Sequence, residues 1–189
     1  MPNDLPCPEM LRKVLRYEPE TGDLFWRTRP LDMFQDGVQS ALHSCRRYNS
    51  TYANKQAFRN KCHNGYYRGL ALGRQMLAHR AIWAIFYGRW PACQIDHING
   101  NPSDNRIHNL REVSHAENSR NMSLKKTNTS GHQGVSWCDT RKNWRAYVNI
   151  NGKYKYIGRF DCKDAAVKAS KDARRKLGYH PNHGRPSRR

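Results

Sequence analysis

The sequence predicts an α+β protein in which short helices and small antiparallel sheets form two domains. Residues 94–118 have the pattern of strand, loop, strand and helix, and residues 134–177 have the pattern of three strands and one helix. The charge is also uneven. Residues 1–118 contain 16 Lys and Arg against 11 Asp and Glu, whereas residues 119–189 contain 18 against 4. This imbalance favours an anionic partner, nucleic acid above all, for the C-terminal third.

The first 77 residues predict one helix and several short strands. Apolar positions recur at helical spacing over residues 10–15, a turn follows at 19–22, and residues 24–26 have the composition of a strand. Residues 28–64 are polar and are predicted to be loops with short strands, and residues 66–77 are predicted to be two strands.

The centre of the chain carries the clearest local signals. Residues 78–87 predict a helix with one apolar face, which Gly88 ends at the C′ position. Strands are predicted at 94–98 and 110–113, separated by a loop rich in Asn, Asp, Gly and Pro.

A capping box then predicts the start of the next helix. Ser114 has the N-cap position and Glu117 the N3 position, so each can bond the other's backbone N–H. The first turns of this helix carry Asn118.

The C-terminal part predicts a small sheet. Beyond a linker at 122–132, strands are predicted over 134–137, 144–150 and 154–160. The dipeptide Asn151-Gly152 between the last two predicts a tight hairpin.

One helix follows this sheet. We expect Asp161 to cap it with Asp164 at N3, a thin apolar stripe from Ala166 to Leu177, and Gly178 at its end. The residues at 181–189 are predicted to be a basic tail.

The cysteines and hydropathy exclude several classes of protein. None of the six cysteines forms a C-x-x-C pair, and the spacing of His43, Cys45, Cys62 and His63 is poor for zinc, so no structural zinc is expected. No apolar run approaches ~18 residues and no signal-peptide pattern follows the start, so no membrane partner is expected. We expect a cytoplasmic protein with reduced thiols, in the host cell if it is phage-encoded.

The pair Asp96-His97 is the main candidate for chemistry. A carboxylate can hold a hard cation, and an imidazole can take a proton from water near neutral pH. Asn118 can supply a second oxygen ligand, and Asn109 lies between them. In a basic chain the natural substrate is a phosphodiester. The alternative is an ordinary polar hairpin turn, which the agreement of four spaced elements disfavours.

The spacing of these elements resembles the HNH endonucleases of the phage and homing type. The matching strings run from His79 to Trp83 (His-Arg-Ala-Ile-Trp), Ile95 to Gly100 (Ile-Asp-His-Ile-Asn-Gly), Asn105 to Arg111 and Glu117 to Asn121, and the string from Tyr17 to Trp26 is similar to the front of such proteins.

This resemblance implies a ββα-metal fold and a role for each motif residue. His97 would be the general base, Asp96 and Asn118 would hold one divalent cation, and Asn109 would fix the loop and orient His97. The cation would be Mg²⁺, with Mn²⁺ as the alternative, because Asn118 replaces the histidine that often stands at its position.

The C-terminal region is similar to the ethylene-response-factor-type DNA-binding domain of plant transcription factors. The matching strings run from Ser130 to Trp137, Trp144 to Val148, Tyr156 to Phe160 and Asp164 to Ala166. In that fold the sheet enters the major groove and the helix backs it. The resemblances imply a nuclease domain at 1–121 with its core at about 94–121, a DNA-binding domain at 133–180 and a tail at 181–189.

Alternation along the strands then predicts which side chains meet DNA. Ala146, Val148 and Ile150 should face the helix, and the opposite face should carry the contacts. With Arg80 at a helix start and Arg141 in a turn, the candidates for DNA binding are Arg80, Arg141, Arg145, Tyr147, Asn149, Tyr154 and Tyr156. The alternative for this sheet face is a solvated surface, and for Arg80 it is packing or surface charge.

We therefore expect a metal-dependent endonuclease that hydrolyses double-stranded DNA, with a homing role as a further expectation from the resemblance. No protein partner is evident. The alternatives are a DNA-binding regulator whose HNH-like domain is not catalytic, and an RNA-binding protein that uses the same charges and aromatic residues.

Overall fold

The structure is a computed structural model that describes residues 5–119, 121, 124, 127–150, 152–181 and 183–184. Two units divide the chain, Met1–Glu112 and Val113–Arg189. The helices are α1 Pro8–Val14, α2 Ala41–Tyr52, α3 Ala78–Tyr87, α4 His115–Ser119 and α5 Lys163–Lys176. The strands are β1 Leu15–Glu18, β2 Asp23–Trp26, β3 Asn60–Lys61, β4 Tyr67–Ala71, β5 Arg74–Leu77, β6 Gln94–His97, β7 Leu110–Val113, β8 Val135–Cys138, β9 Asn143–Ile150 and β10 Lys153–Phe160.

Small antiparallel sheets and one central helix build the first unit. β1 pairs with β2, β4 lies between β3 and β5, and β6 pairs with β7. The core forms around α3, where Ala81, Ile82 and Ala84 have no exposed surface, and α1 contributes Leu11 and Val14. Helix α3 has the predicted bounds, and Gly88 ends it in the left-handed region at φ 70°.

The N-terminal segment differs from the prediction at one point. Leu15 begins β1 and does not extend α1, and it pairs with Trp26 of β2. The apolar spacing at 10–15 did not reveal the switch from helix to strand, because an apolar Leu15 suits a buried position in either element.

The prediction of loops with short strands over residues 28–64 was wrong where α2 lies. No side chain of this helix is fully buried, and its apolar stripe is thin. The stripe consists of Ala41, Cys45, Tyr48 and Tyr52 in an otherwise polar segment. The start of α2 is defined by Ser40, whose side chain accepts a hydrogen bond from the His43 N–H. Asn49 ties it to the first unit by donating to the Arg29 carbonyl at 2.9 Å.

The second unit has the predicted three strands and one helix. β9 lies between β8 and β10, and α5 packs on the sheet. The core cluster is small and consists of Val135, Ala146, Ala166 and Val167. Ala146 and Val148 are buried as predicted, whereas Ile150 is only half-buried and lies outside this cluster. At the end of β9 the strand is near its turn, so Ile150 cannot reach the middle of α5.

Two details of the second unit differ from the prediction. The N-cap of α5 is Cys162, which makes no side-chain cap, so the assignment of this role to Asp161 was wrong by one residue. Gly178 follows the helix at φ 69°, as predicted. Asn151 of the predicted hairpin, parts of the predicted linker and most of the basic tail lie outside the described residues. None of the helices in the described ranges is long and apolar enough to cross a membrane.

Candidate active site

Strand β6 places Asp96 and His97 side by side at its end. Both side chains are buried, with Asp96 at 7% and His97 at 4% exposure. The backbone pairing with the start of β7 continues past the strand, since the Ile98 N–H donates to the Asn109 carbonyl at 2.8 Å. The two candidate groups therefore stand on a rigid strand end and not on a mobile loop.

The loop after His97 is held by the side chain of Asn109. Its Oδ1 accepts from the Asn99 N–H at 2.9 Å, and its Nδ2 donates to the Asp104 carbonyl at 2.8 Å. Asn109 is 4% exposed, so both bonds are protected from water. One amide thus ties both ends of the loop together.

Asp104 organises the outer part of the same loop. Its carboxylate accepts from the Arg106 guanidinium at 2.7 Å and from Asn99 Nδ2 at 2.8 Å. These bonds, with the Arg106 bond as the largest cause, hold the pKa of Asp104 well below its usual range. Asp104 therefore stays ionised as a structural anion.

The contact between His97 and Asn105 defines which nitrogen of His97 can act as a base. His97 Nε2 lies 3.1 Å from Asn105 Oδ1, and an amide oxygen can only accept a hydrogen bond. Donation to this oxygen requires the proton on Nε2, and the neutral tautomer with that proton has its lone pair on Nδ1. Asn105 is itself fixed, because Tyr17 Oη donates to its carbonyl at 3.1 Å. Burial raises the pKa of Tyr17 to about 12, so this hydroxyl keeps its proton.

Two further rings surround His97. The ring centroid of His79 lies 5.3 Å from that of His97, and Tyr66 lies 5.6 Å from His97 and 5.0 Å from His79. Burial, with the charges of His97 and Arg80, lowers the pKa of His79 to about 3. His79 is therefore a neutral neighbour at physiological pH.

Burial lowers the pKa of His97 as well. The Asn105 bond and the nearby charges of Asp96 and Asp104 oppose this shift but do not cancel it. His97 is therefore neutral at a lower pH than an exposed histidine, which is the state that a general base requires.

Asp96 is paired with Arg111 of β7. Arg111 donates from Nε at 2.9 Å and from Nη2 at 2.7 Å, both to Asp96 Oδ2. The Asp96 side chain is 7% exposed and the Arg111 side chain 34% exposed, so solvent reaches this ion pair mainly on the side of Arg111. Arg111 belongs to the string Asn105 to Arg111, but its role could not be read from the sequence, because its partner lies 15 residues away.

Glycines let two other segments press against the loop. A Cβ on Gly22, which has φ +80°, would lie 2.6 Å from the Arg106 backbone nitrogen. A Cβ on Gly65 would lie 2.7 Å from Pro102 Cγ, and Ser103 Oγ donates to the Gly65 carbonyl at 3.0 Å. The β1–β2 turn and the 62–66 turn therefore support the candidate active site from outside the motif itself.

Arg80 has internal partners. Its Nη1 donates to the Cys93 carbonyl at 3.1 Å and its Nη2 to the Pro91 carbonyl at 3.2 Å, which fixes the segment before β6. These bonds explain the position of the Arg80 guanidinium without a bound phosphate. Its role in DNA binding stays a prediction.

The candidate DNA-binding residues of the second unit share one face of its sheet. Tyr147 pairs with Tyr156 across the β9–β10 ladder, and Asn149 pairs with Tyr154. Arg145 pairs with Arg159, an exposed cation that the sequence analysis did not single out because a register shift between Tyr156 and Gly158 breaks the alternation.

The exposure of this face varies along it. Tyr154 is 69% and Tyr156 56% exposed, Arg145 is exposed, and Tyr147 and Asn149 are half-buried. Arg141 is exposed in the turn between β8 and β9.

Asn118, the other proposed ligand, lies on α4 in the second unit. The capping box that begins α4 is confirmed: the Glu117 N–H donates to Ser114 Oγ at 3.2 Å and the Ser114 N–H donates to Glu117 Oε2 at 2.9 Å.

Comparison with known proteins agrees with the central motif. Residues 76–120 match the family described as HNH endonuclease. The chain is also 43% identical over 76 residues to Protein 3.8 of Escherichia phage T7, which is 40% of this chain. The matched part spans 63% of the length of that relative. No solved structure matches the chain.

HNH nucleases generally use a divalent metal ion, and the donor chemistry here can be tested against one. The two residues that the motif would use are a carboxylate, Asp96, and an amide, Asn118, and oxygen donors of this kind suit Mg²⁺. In the described ranges no three His, Cys, Asp or Glu side chains group as a metal site. A Mg²⁺ ion keeps several waters and needs only one or two protein oxygens, so the donor set fits in kind. Because Arg111 donates to Asp96 Oδ2, such an ion would have to displace Arg111 or share the carboxylate with it.

Proposed function

We propose that this protein is an HNH-type DNA endonuclease that hydrolyses phosphodiester bonds in double-stranded DNA and leaves 5′ phosphate and 3′ hydroxyl ends. The observation that carries the proposal is the fixed state of His97, which is buried at a strand end with its Nε2 proton directed to Asn105. The match of residues 76–120 to the HNH endonuclease family supports DNA as the substrate.

His97 would be the general base. Its Nδ1 takes a proton from a water molecule as the water oxygen attacks the phosphorus, and the bond to the 3′ oxygen breaks. Asn105 positions the imidazole by accepting from Nε2, and this bond also stabilises the imidazolium that forms. Asn109 acts as a positioning residue, because its two bonds fix the loop that carries Asn105.

Asp96 and Asn118 would hold one hard divalent cation, Mg²⁺ before Mn²⁺. When bound, this ion would stabilise the negative charge that develops on the phosphate and on the leaving 3′ oxygen. Both residues lie within the 76–120 match, which supports the assignment. Arg111 neutralises Asp96 in the metal-free protein and keeps its carboxylate at one position.

The sheet face of the second unit would hold the duplex. Arginine and tyrosine side chains alternate there on one surface, and such a surface suits phosphate and base-edge contacts in the major groove. The likeness of this region to an ethylene-response-factor-type domain rests on its sequence strings and on the three-strand and one-helix order. One catalytic site cuts one strand, so a monomer would nick.

A DNA-binding regulator with a non-catalytic HNH-like domain is the second candidate. This candidate is favoured by the two hydrogen bonds that Arg111 donates to Asp96 Oδ2. The guanidinium can take the place of a metal ion beside the carboxylate. In that case the chain would bind duplex DNA and leave it uncut.

Incubation of the full chain with supercoiled plasmid and Mg²⁺, with and without a chelator, tests the proposal. We expect nicked circles that the chelator abolishes and that His97→Ala does not form. His108, an exposed histidine in the turn before β7, provides the matched control, and His108→Ala should nick like the wild type. Tight plasmid binding without metal-dependent nicking would reject the endonuclease and support the regulator.

A further inference from the structure

A basic cleft in the first unit has no role in the candidate active site. Its volume is about 710 Å³, and residues of α1, the β1–β2 hairpin and the segment after β2 line it. The cations Arg12, Lys13, Arg16 and Arg27 surround it, and Trp26 supplies apolar surface. All of these residues lie outside the HNH match at 76–120.

Two of the guanidinium groups are held in place before any ligand arrives. Arg12 donates from Nε to the Ile85 carbonyl at 2.8 Å, and Arg27 donates from Nε to the Leu15 carbonyl at 3.3 Å. Among the described residues these bonds use only Nε, which leaves the two terminal nitrogens of each group for a ligand. A pre-positioned guanidinium loses less side-chain entropy on binding than a mobile one, and its fork matches a phosphate.

The charge of the cleft is not balanced internally. Within the described part of the chain, Arg12, Lys13 and Arg27 have no carboxylate within ion-pair distance, and Arg16 pairs with Glu18 at 2.7 Å. Asp32 is the one acidic residue in the lining. A concave surface with this excess of positive charge concentrates anions more strongly than an exposed face with the same charges.

The indole of Trp26 indicates which class of anionic ligand suits the cleft. It is half-buried, and its ring packs edge-on against Phe58 at 6.1 Å between centroids. An indole beside several cations suits a ligand that alternates charged and apolar parts, as phosphate, sugar and base do along a nucleic acid strand. A simple inorganic anion has no apolar part that could contact the Trp26 ring.

We infer that this cleft binds the phosphodiester backbone of a DNA strand, at a site separate from the HNH motif. The inference rests on the proposed function, because the ligand is the DNA that the motif would cut. The bond from Arg12 to the Ile85 carbonyl joins the cleft to α3, which lies in the HNH match, so one unit would hold the DNA strand together with Asp96 and His97. Trp26 is the last residue of the string that resembles the front of such nucleases and Arg27 follows it, so the cleft would give that segment a function.

The test is the salt dependence of duplex binding by the full chain in the presence of a chelator. The double variant Lys13→Gln/Arg27→Gln removes two cleft cations, and Arg68→Gln/Arg74→Gln removes two exposed cations from the β4–β5 hairpin as a matched control. We expect the slope of log K against log salt to fall by about 2 for the cleft variant, from ~0.9 for each lost phosphate contact, and by less than half of that for the control.

Equal changes in the two variants, or an unchanged slope in the cleft variant, would overturn the inference. A cleft variant that loses affinity for single-stranded RNA but keeps its affinity for DNA would overturn it too. Because Arg27 also bonds to the backbone, the single variant Lys13→Glu on the surface of α1 carries the test if the double variant fails to fold. Binding without metal does not depend on cleavage, so a failure here is separate from a failure of the wild type to nick plasmid.

Discussion

The two units of this protein use charge in different ways. In the first unit the carboxylate of Asp96 is buried and bonded twice to Arg111. In the second unit an ion pair such as Lys142 to Asp139 spans 3.8 Å with both side chains more than 75% exposed, and such pairs contribute little to stability. Most of the charged groups on its sheet face, Arg145 among them, are open to a partner.

This difference shows that net charge alone does not indicate which unit contains the candidate active site. The second unit holds most of the excess positive charge, yet the titratable groups with perturbed environments cluster in the first, around His97 and His79. Buried and paired charges position reacting groups, whereas exposed and unpaired cations supply affinity. The following predictions test this division.

The largest effect is expected from His97, the proposed general base. His97→Ala should slow cleavage by ~10²–10⁴-fold, the usual cost of removing a general base, with little change in DNA affinity. Single-turnover cleavage and equilibrium binding measured side by side would check this. If His97→Ala weakens binding as much as it slows cleavage, the division between chemistry and affinity fails.

Asp96→Asn is expected to have the next largest effect. It removes the carboxylate charge and should slow cleavage by at least ~10²-fold at saturating Mg²⁺, because several kcal/mol of charge stabilisation depend on the ion. Arg111→Gln should leave cleavage detectable and tighten the binding of Mn²⁺, which paramagnetic resonance measures directly. Wild-type cleavage by Asp96→Asn would show that Asp96 does not hold the ion.

The buried His79 should make the first unit sensitive to acid. Its pKa in the folded protein is about 3, below the ordinary value of 6.5, so the unfolded chain binds a proton first as the pH falls. The stabilisation is complete above pH ~6.5 and is lost progressively toward pH 3. We expect the free energy of unfolding to fall by about 3 kcal/mol more between pH 7 and pH 4 in the wild type than in His79→Phe.

Chemical denaturation of both proteins across that pH range provides the measurement. The exposed His108 serves as the control, and His108→Gln should follow the wild type. Parallel pH curves for the wild type and His79→Phe would mean that His79 can be protonated in the folded state.

The smallest effect is expected on the sheet face of the second unit. Arg145→Ala should cost ~1–3 kcal/mol of discrimination between duplex sequences if this arginine contacts a base edge. Lys171→Ala, on the exposed side of α5, should weaken all duplexes alike. Binding to several duplexes at two salt concentrations would separate these outcomes. Uniform weakening by Arg145→Ala would assign this face to phosphates only.

Elements with local signals could be predicted from the sequence alone. The bounds of α3, with Gly88 behind it, and the capping box from Ser114 to Glu117 could be read directly, because a cap and a C′ glycine depend on neighbours within four residues. The order of three strands and α5 followed from alternation and turn residues in the same way. Helix α2 was missed because its apolar stripe is thin in a polar segment and none of its side chains is fully buried.

The remaining contacts of the candidate site depend on long-range packing. The motif spacing singled out Asp96 and His97, but the contact of His97 with His79 joins residues 18 positions apart and the bond of Tyr17 to the Asn105 carbonyl joins residues 88 apart. Such contacts depend on how α3, β1 and β6 pack, and packing is a property of the whole core. The neutral state of His79 follows from its burial, and the proposed use of His97 Nδ1 rests on the contact of Nε2 with Asn105 Oδ1, which the motif spacing did not reveal.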